Sequence, residues 1–255
     1  MTALAVLGAL LGGGAALLGF APAAWLASAL ASATGERVLL ADARGSVWQG
    51  SAVAVLTGGA GSRDASALPG RLHWSLAPEG WALGLRARHA CCINGELHVR
   101  IEAGPGRLKI TLPAAPGVIG QWPANWLTGL GTPFNTLQLG GWLGLDSSGL
   151  VAESAQTGWQ ISGGAALTLN DLSSRISTLE TLGSYRLALT GGNPPQLALS
   201  TLSGPLQLGG TGQWPASGLR FRGEARAAAG YETALNNLLN IIGRRQGTLA
   251  ILSIG

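Results

Sequence analysis

The sequence predicts a mainly β protein: an N-terminal transmembrane helix followed by a curled antiparallel β-sheet, a half-barrel or folded trough, with one or two short helices. Three observations carry this expectation. From Val38 onward, short segments alternate apolar and polar residues with period two, the pattern of strands buried on one face. Gly and Pro, 41 and 12 of the 255 residues, punctuate those segments. Together they supply about a fifth of the chain, where about an eighth is usual. Finally, Met1 to Gly35 holds no charged side chain.

Within that uncharged stretch, Ala3 to Ala21 is nineteen residues of Ala, Leu, Val, Gly and Phe. At about 1.5 Å per residue they span about 29 Å, enough to cross a bilayer once. Gly12-Gly13-Gly14 would weaken a helix in water and is better tolerated in a membrane. The competing reading is a cleaved signal peptide, with small-residue sites at Ala29-Leu30-Ala31 or Ala31-Ser32-Ala33. The missing basic start and the length of the apolar run favour an anchor. Residues 1–34 are therefore expected as a membrane anchor and 35–255 as one β-rich domain beyond the membrane.

The strands read as follows. Leu72, Trp74 and Leu76 alternate with Arg71, His73 and Ser75. Trp81, Leu83, Leu85 and Ala87 alternate with Ala82, Gly84, Arg86 and Arg88. Leu97, Val99 and Ile101 alternate with Glu96, His98, Arg100 and Glu102; a three-residue turn, Gly104-Pro105-Gly106, then leads to Leu108, Ile110 and Leu112, which predicts a hairpin. Later pairs are Leu137 and Leu139, Leu167 and Leu169, Leu187 and Leu189 after Tyr185, Leu206 and Leu208, and Leu219 and Phe221 leading to Ala225 and Ala227.

One face of every strand is apolar, so something must cover that face. A short helix is expected around Pro123 to Leu130 and a better one from Tyr231 to Ile242, where Leu235, Leu238, Leu239 and Ile242 share a face and Gly243, Arg244 and Arg245 suit its C-terminus. Two short helices are a small lid for about twelve strands, so the sheet is expected to curl and leave an apolar groove.

Composition excludes several function classes. Net charge is +4, but the sixteen basic residues, of which Lys109 is the single Lys, are scattered; Arg220, Arg222 and Arg226 alternate as on the wet face of a strand, so no nucleic acid is expected as partner. Cys91 and Cys92 would point to opposite faces of a strand, which argues against a bridge between them. With only His89 and His98 nearby, they are read as two small core or surface residues and not as a metal site. The sequence lacks a Gly-x-Ser-x-Gly elbow, a His-Glu-x-x-His pair and a P-loop. Gly209-Gly210-Thr211-Gly212 reads as turn material, and Asp146-Ser147-Ser148-Gly149 as a turn. His73 and His98 fall on polar strand positions. No catalytic, metal or cofactor residue is therefore assigned, and no enzyme is expected. Trp48, Trp74, Trp81, Trp142, Trp159 and Trp214 sit in or beside strands next to small residues, where filling the core is their commonest use.

The order of features resembles a known family. After the apolar N-terminus come Leu39-Leu40-Ala41-Asp42-Ala43-Arg44-Gly45-Ser46-Val47-Trp48-Gln49-Gly50-Ser51-Ala52 and Leu68-Pro69-Gly70-Arg71-Leu72-His73-Trp74. Leu179-Glu180-Thr181-Leu182-Gly183-Ser184-Tyr185-Arg186-Leu187 follows, and the tail Leu235-Asn236-Asn237-Leu238-Leu239-Asn240-Ile241-Ile242-Gly243-Arg244-Arg245-Gln246-Gly247 closes the series. Together these resemble protein N of the bacterial type II secretion system, the general secretion pathway protein N family. The resemblance implies an accessory component of that system: a single-pass inner-membrane protein with a periplasmic β domain, whose partners are other secretion components and which carries no catalytic residues. The alternative is a periplasmic lipid-binding or lipid-bridging β-groove protein of AsmA-like type. An apolar trough open along its length favours lipid; a face filled by Trp and the C-terminal helix favours a platform for a protein partner.

Overall fold

The computed structural model describes residues 19–155, 158–215 and 218–255. Among them, sixteen strands form one sheet in which every neighbouring pair is antiparallel. The strands are β1 (Val38–Gly45), β2 (Gln49–Thr57), β3 (Ala65–Ala67), β4 (Leu72–Glu79), β5 (Ala82–His89), β6 (Leu97–Gly104), β7 (Arg107–Ala114) and β8 (Gly120–Pro123). There follow β9 (Leu139–Ala155), β10 (Gly158–Ser174), β11 (Gly183–Gly192), β12 (Gln196–Ser203), β13 (Leu206–Gln213), β14 (Arg220–Ala227), β15 (Arg244–Gln246) and β16 (Leu249–Ile254). Their spatial order is β1-β2-β4-β5-β6-β7-β9-β10-β11-β12-β13-β14-β16-β15, with β3 attached to β2 and β8 to β9. The two outer strands do not pair, so the sheet is not closed.

The helices are few. Helix α1 (Ala23–Ala33) precedes the sheet, a 3-10 helix (Ala124–Leu130) and the short α2 (Phe134–Leu137) lie between β8 and β9, and α3 (Glu232–Ile242) lies between β14 and β15. Most of the expected span Ala3–Ala21 lies outside the described residues. Among the described residues no helix is long and apolar enough to cross a membrane. Residues 23–33 of the expected anchor segment instead form α1, which rests on β1 and β2 and packs Ala23 and Leu26 with Ala52, Trp74, Leu40 and Ala43.

Sequence alternation becomes a two-faced sheet. Trp74, Ala87 and Leu97 lie in register on one face, as do Leu85 and Val99 and then Ile101 and Ile110. The apolar face is concave, because the 3-10 helix touches both β2 and β9. Four strands separate those two in the sheet, and flat neighbours stand about 4.8 Å apart. Gly129 makes that contact possible: a Cβ there would collide with Leu56 O and lie 2.7 Å from Ser66 N.

The main core lies at one end of this concave face. Leu235, Leu238 and Leu239 of α3 are buried against Leu139, Leu143, Leu172, Leu182, Tyr185, Leu206, Ala225 and Ala250. Tyr185 is wholly buried, and its hydroxyl, 2.8 Å from Leu206 O and 3.0 Å from Leu182 O, donates into that pair of carbonyls. Burial pushes the phenol's pKa well up. A second cluster at the same end packs Ala54, Leu68 and Cys92 against Trp122 and Trp126.

Several sequence expectations are corrected. The sheet has sixteen strands where about twelve were expected. The β6–β7 turn has two residues, since Gly104 pairs with Arg107 and only Pro105 and Gly106 lie between them. Leu137 is helical, in α2. Asp146-Ser147-Ser148-Gly149 is no turn but the middle of the 17-residue strand β9, where a register shift against β10 breaks the alternation. Gly209 to Gly212 is strand β13, and the Phe221 ring occupies the space over it: a Cβ on Gly210 would lie 2.5 Å from Phe221 Cζ. Gly243 does not cap α3 in a left-handed conformation; its backbone is extended, and a Cβ would lie 2.7 Å from Ile251 O. Arg244 and Arg245 belong to the three-residue edge strand β15, where a short charged edge discourages pairing with other chains.

Candidate interaction surface

The sheet has two distinct ends, set by where its connections run. At the closed end are the α3 core, β8, the 3-10 helix and the segment His89–Asn94. That segment is stitched to β8 by Asn94 N to Ile119 O at 2.8 Å, Gln121 N to Cys92 O at 3.0 Å and a bridge between Ile93 and Gly120. At the other end, the rim, lie the turns Gly80–Trp81 and Pro105–Gly106, the segment Asn193–Pro195 and Trp214.

Between the two ends the concave face is open. Leu83, Leu85, Val99, Ile101, Leu108, Ile110, Leu112, Leu150, Ala152 and Ile161 all sit on it at intermediate burial, while their neighbours toward the closed end are sealed. Near the rim, Ala152, Trp159, Ile161, Pro195, Trp214 and Pro215 enclose an apolar cavity of about 290 Å³. The groove expected from strand count is therefore present, closed at one end and open at the other.

The reading of Trp as core filling holds for Trp74, which is buried with Nε1 donating to Val47 O at 3.0 Å. It fails for Trp81, Trp142, Trp159 and Trp214, which are 101%, 52%, 53% and 49% exposed. Trp81 keeps the parity of Leu83 and Leu85, but it stands in the turn after Gly80 and has no opposing strand. Period-two counting cannot distinguish the last residue of a strand from the first of a turn.

The convex polar face is largely self-neutralised from β4 to β9. Glu79 lies 3.1 Å from His98 Nε2, 3.6 Å from Arg86 and 3.9 Å from Arg100. Arg88 pairs with Glu96 at 2.6 Å, Arg100 with Glu102 at 3.0 Å, Lys109 with Glu102 at 3.8 Å, and Arg107 with Glu153. The Arg100 hydrogen bond, with Lys109 and Arg107 nearby, holds the Glu102 carboxyl below the usual carboxylate range. Arg186 grips Asp146 through two nitrogens, at 2.9 and 3.1 Å. Beyond that point the pattern stops: among the described residues, Arg220, Arg222, Arg226, Arg244 and Arg245 make no ion pair within 4 Å.

The histidines do not converge. His73 and His98 lie on the polar face, whereas His89, which pairs with Leu72, lies on the apolar face and is buried. Burial, with His73 nearby, lowers the pKa of His89 and keeps the ring neutral. Its Nδ1 lies 3.2 Å from Cys91 Sγ, and its Nε2 is buried without a partner. Cys91 and Cys92 are bridged to one another, which corrects the expectation of two separate small residues. Residues 90–92 form a turn and not a strand, so the opposite-face argument does not apply to them. Bridged sulfurs offer no thiolate, so the His89, Cys91 and Cys92 atoms, although within 4.8 Å of one another, are not a metal site in this state.

No curated protein and no solved structure matches the chain. The profile of type II secretion system protein N matches residues 36–251, which takes in every strand except the final residues of β16. The chain belongs to the type II secretion system protein N family.

Proposed function

We propose that the protein is an accessory scaffold of the type II secretion machine, held at the bacterial inner membrane by Ala3–Ala21 and presenting its sheet in the periplasm to another secretion component. Family membership supports a role in secretion. The observation that carries the scaffold reading is that the concave face is no trough open along its length: α3, Trp122 and Trp126 fill one end, and from β5 to β10 the inward apolar side chains are left half-buried. Contiguous apolar surface left without cover marks a place where a protein, a membrane or a ligand docks. The sheet edge is the weaker candidate: β15 is three residues long with Arg244 and Gln246 exposed, and α1 rests on β1.

A second reading has its own support. The same face, open at the rim and sealed at the other end, suits an acyl chain lying along Ile101, Ile110 and Ile161. Native mass spectrometry of the detergent-extracted protein separates the two: the scaffold reading expects no bound phospholipid, and stoichiometric lipid replaces it with the lipid reading. The role in secretion is tested by deletion and complementation. Cells lacking the chain are expected to retain type II substrates in the periplasm, and His73→Ala with His98→Ala is expected to restore export fully. Normal export without the chain, or its loss in the folded double variant, overturns an accessory, non-catalytic role.

A further inference from the structure

We infer that the rim of the sheet is a membrane-seating surface, which places Trp81, Trp159 and Trp214 in the headgroup region of a phospholipid bilayer. Trp81, the most exposed, stands at the tip of the β4–β5 turn; Trp159 opens β10; Trp214 follows β13. Backbone register puts all three at one end. Glu79 and Ala82 pair across the first turn, Leu108 and Ser154 pair beside Trp159, and Gln213 pairs with Gln196 and Arg220 beside Trp214. Trp prefers the membrane–water interface, where its ring is in an apolar layer and its N–H is wet. In water the same rings would be a cost, because each leaves about half or more of its surface exposed.

The first described residues lie toward this end, against the β1–β2 turn beside Ser75 and Leu76 of β4. Val47 N donates to Ala21 O at 2.8 Å and Pro22 bridges to Ser46, in the β1–β2 turn on the rim side; α1 then runs toward the closed end, where Thr34 meets Val38. Phe20, at the start of this path, is 85% exposed. The described chain therefore begins, at Gly19, on the rim side of the sheet, just after most of the apolar run Ala3–Ala21. Arg220 beside Trp214 makes no ion pair among the described residues and is placed to meet an anionic headgroup. The open end of the concave face would then abut the bilayer, and the closed end would point away from it.

This rests on the reading of Ala3–Ala21 as a membrane span, and the test separates the two. The full chain is reconstituted in vesicles of phosphatidylethanolamine and phosphatidylglycerol with brominated acyl chains. Single variants Trp81→Cys, Trp214→Cys and Leu202→Cys carry a bimane label; the native cysteines are bridged and do not compete. Leu202, 55% exposed near the β12–β13 turn at the closed end, is the reference. All three replaced side chains are solvent-exposed, so the fold should be kept, and protease resistance equal to the parent confirms it. Bromine is expected to quench labels at 81 and 214 and not at 202. Equal, unquenched labels in protein that sediments with the vesicles and resists alkaline extraction overturn the rim proposal while the span stands. Protein released by alkali overturns both.

Discussion

The two ends of the sheet are built from the same alternating sequence and finish differently. At the closed end, leucines from α3, aromatic rings from β8 and the 3-10 helix, and Tyr185 cover the concave face; among the described residues, the buried side-chain polar atoms left without a partner are His89 Nε2 and Trp126 Nε1. At the rim, residues of the same type and the same parity, Ile101, Ile110 and Ile161, are left half-buried. Alternation therefore specifies which face a side chain takes, and it does not specify whether anything covers that face. Cover comes from the few segments that break the pattern; apart from α1, which lies along β1 and β2, those named here gather at one end.

The largest effect expected from this contrast is on stability at the closed end. Leu238→Ala removes a buried side chain from the centre of the core and should cost about 2–5 kcal/mol in denaturant unfolding. Ile110→Ala, on the open face, should cost about 1 kcal/mol, because the transfer term is reduced by its exposure and no sealed cavity forms. Equal losses at the two sites would mean that the rim half is covered in solution. Tyr185→Phe comes next. It strips the donor shared by Leu206 O and Leu182 O and should cost about 1–2 kcal/mol.

A smaller effect comes from pH. The folded state depresses the pKa of His89 below its usual value of about 6.5, so the unfolded state binds more protons. Its contribution to stability is present above pH about 6.5 and is lost as pH falls toward the folded value. His89→Gln should flatten that part of the pH–stability curve, read by thermal unfolding across the acidic range. Last, Trp81→Ser should change the free energy of unfolding by no more than about 0.5 kcal/mol, since the ring is fully exposed.

What could be read in the sequence follows the same division. Strands β4 to β7 were legible because their alternation is unbroken and each turn carries Gly: Gly80 and Gly106 both adopt positive φ. The α3 stripe was legible because Leu235, Leu238 and Leu239 share a helical face, and all three are buried. The long strands β9 and β10 showed only as fragments around Leu139, Leu167 and Leu169. Register shifts between Gly163 and Ala165 and between Asn170 and Ser173 reset the parity, and Ser147 and Gly149 look like a turn in one dimension. The bridge between Cys91 and Cys92 was hidden by treating a turn as strand. The rim was hidden for a different reason: that Trp81, Trp159 and Trp214 share an end with the incoming N-terminus is a matter of topology, which no local pattern encodes.

The account stands on the open concave face being the surface that meets a partner, and in-cell photo-crosslinking tests this most directly. A crosslinking amino acid at Ile110 on the open face is compared with one at Arg100, which lies in the paired ladder of the convex face. Capture of another type II secretion component from position 110, and not from position 100, is the predicted result. Capture from position 100 alone, or from neither position in cells that are exporting, would contradict it.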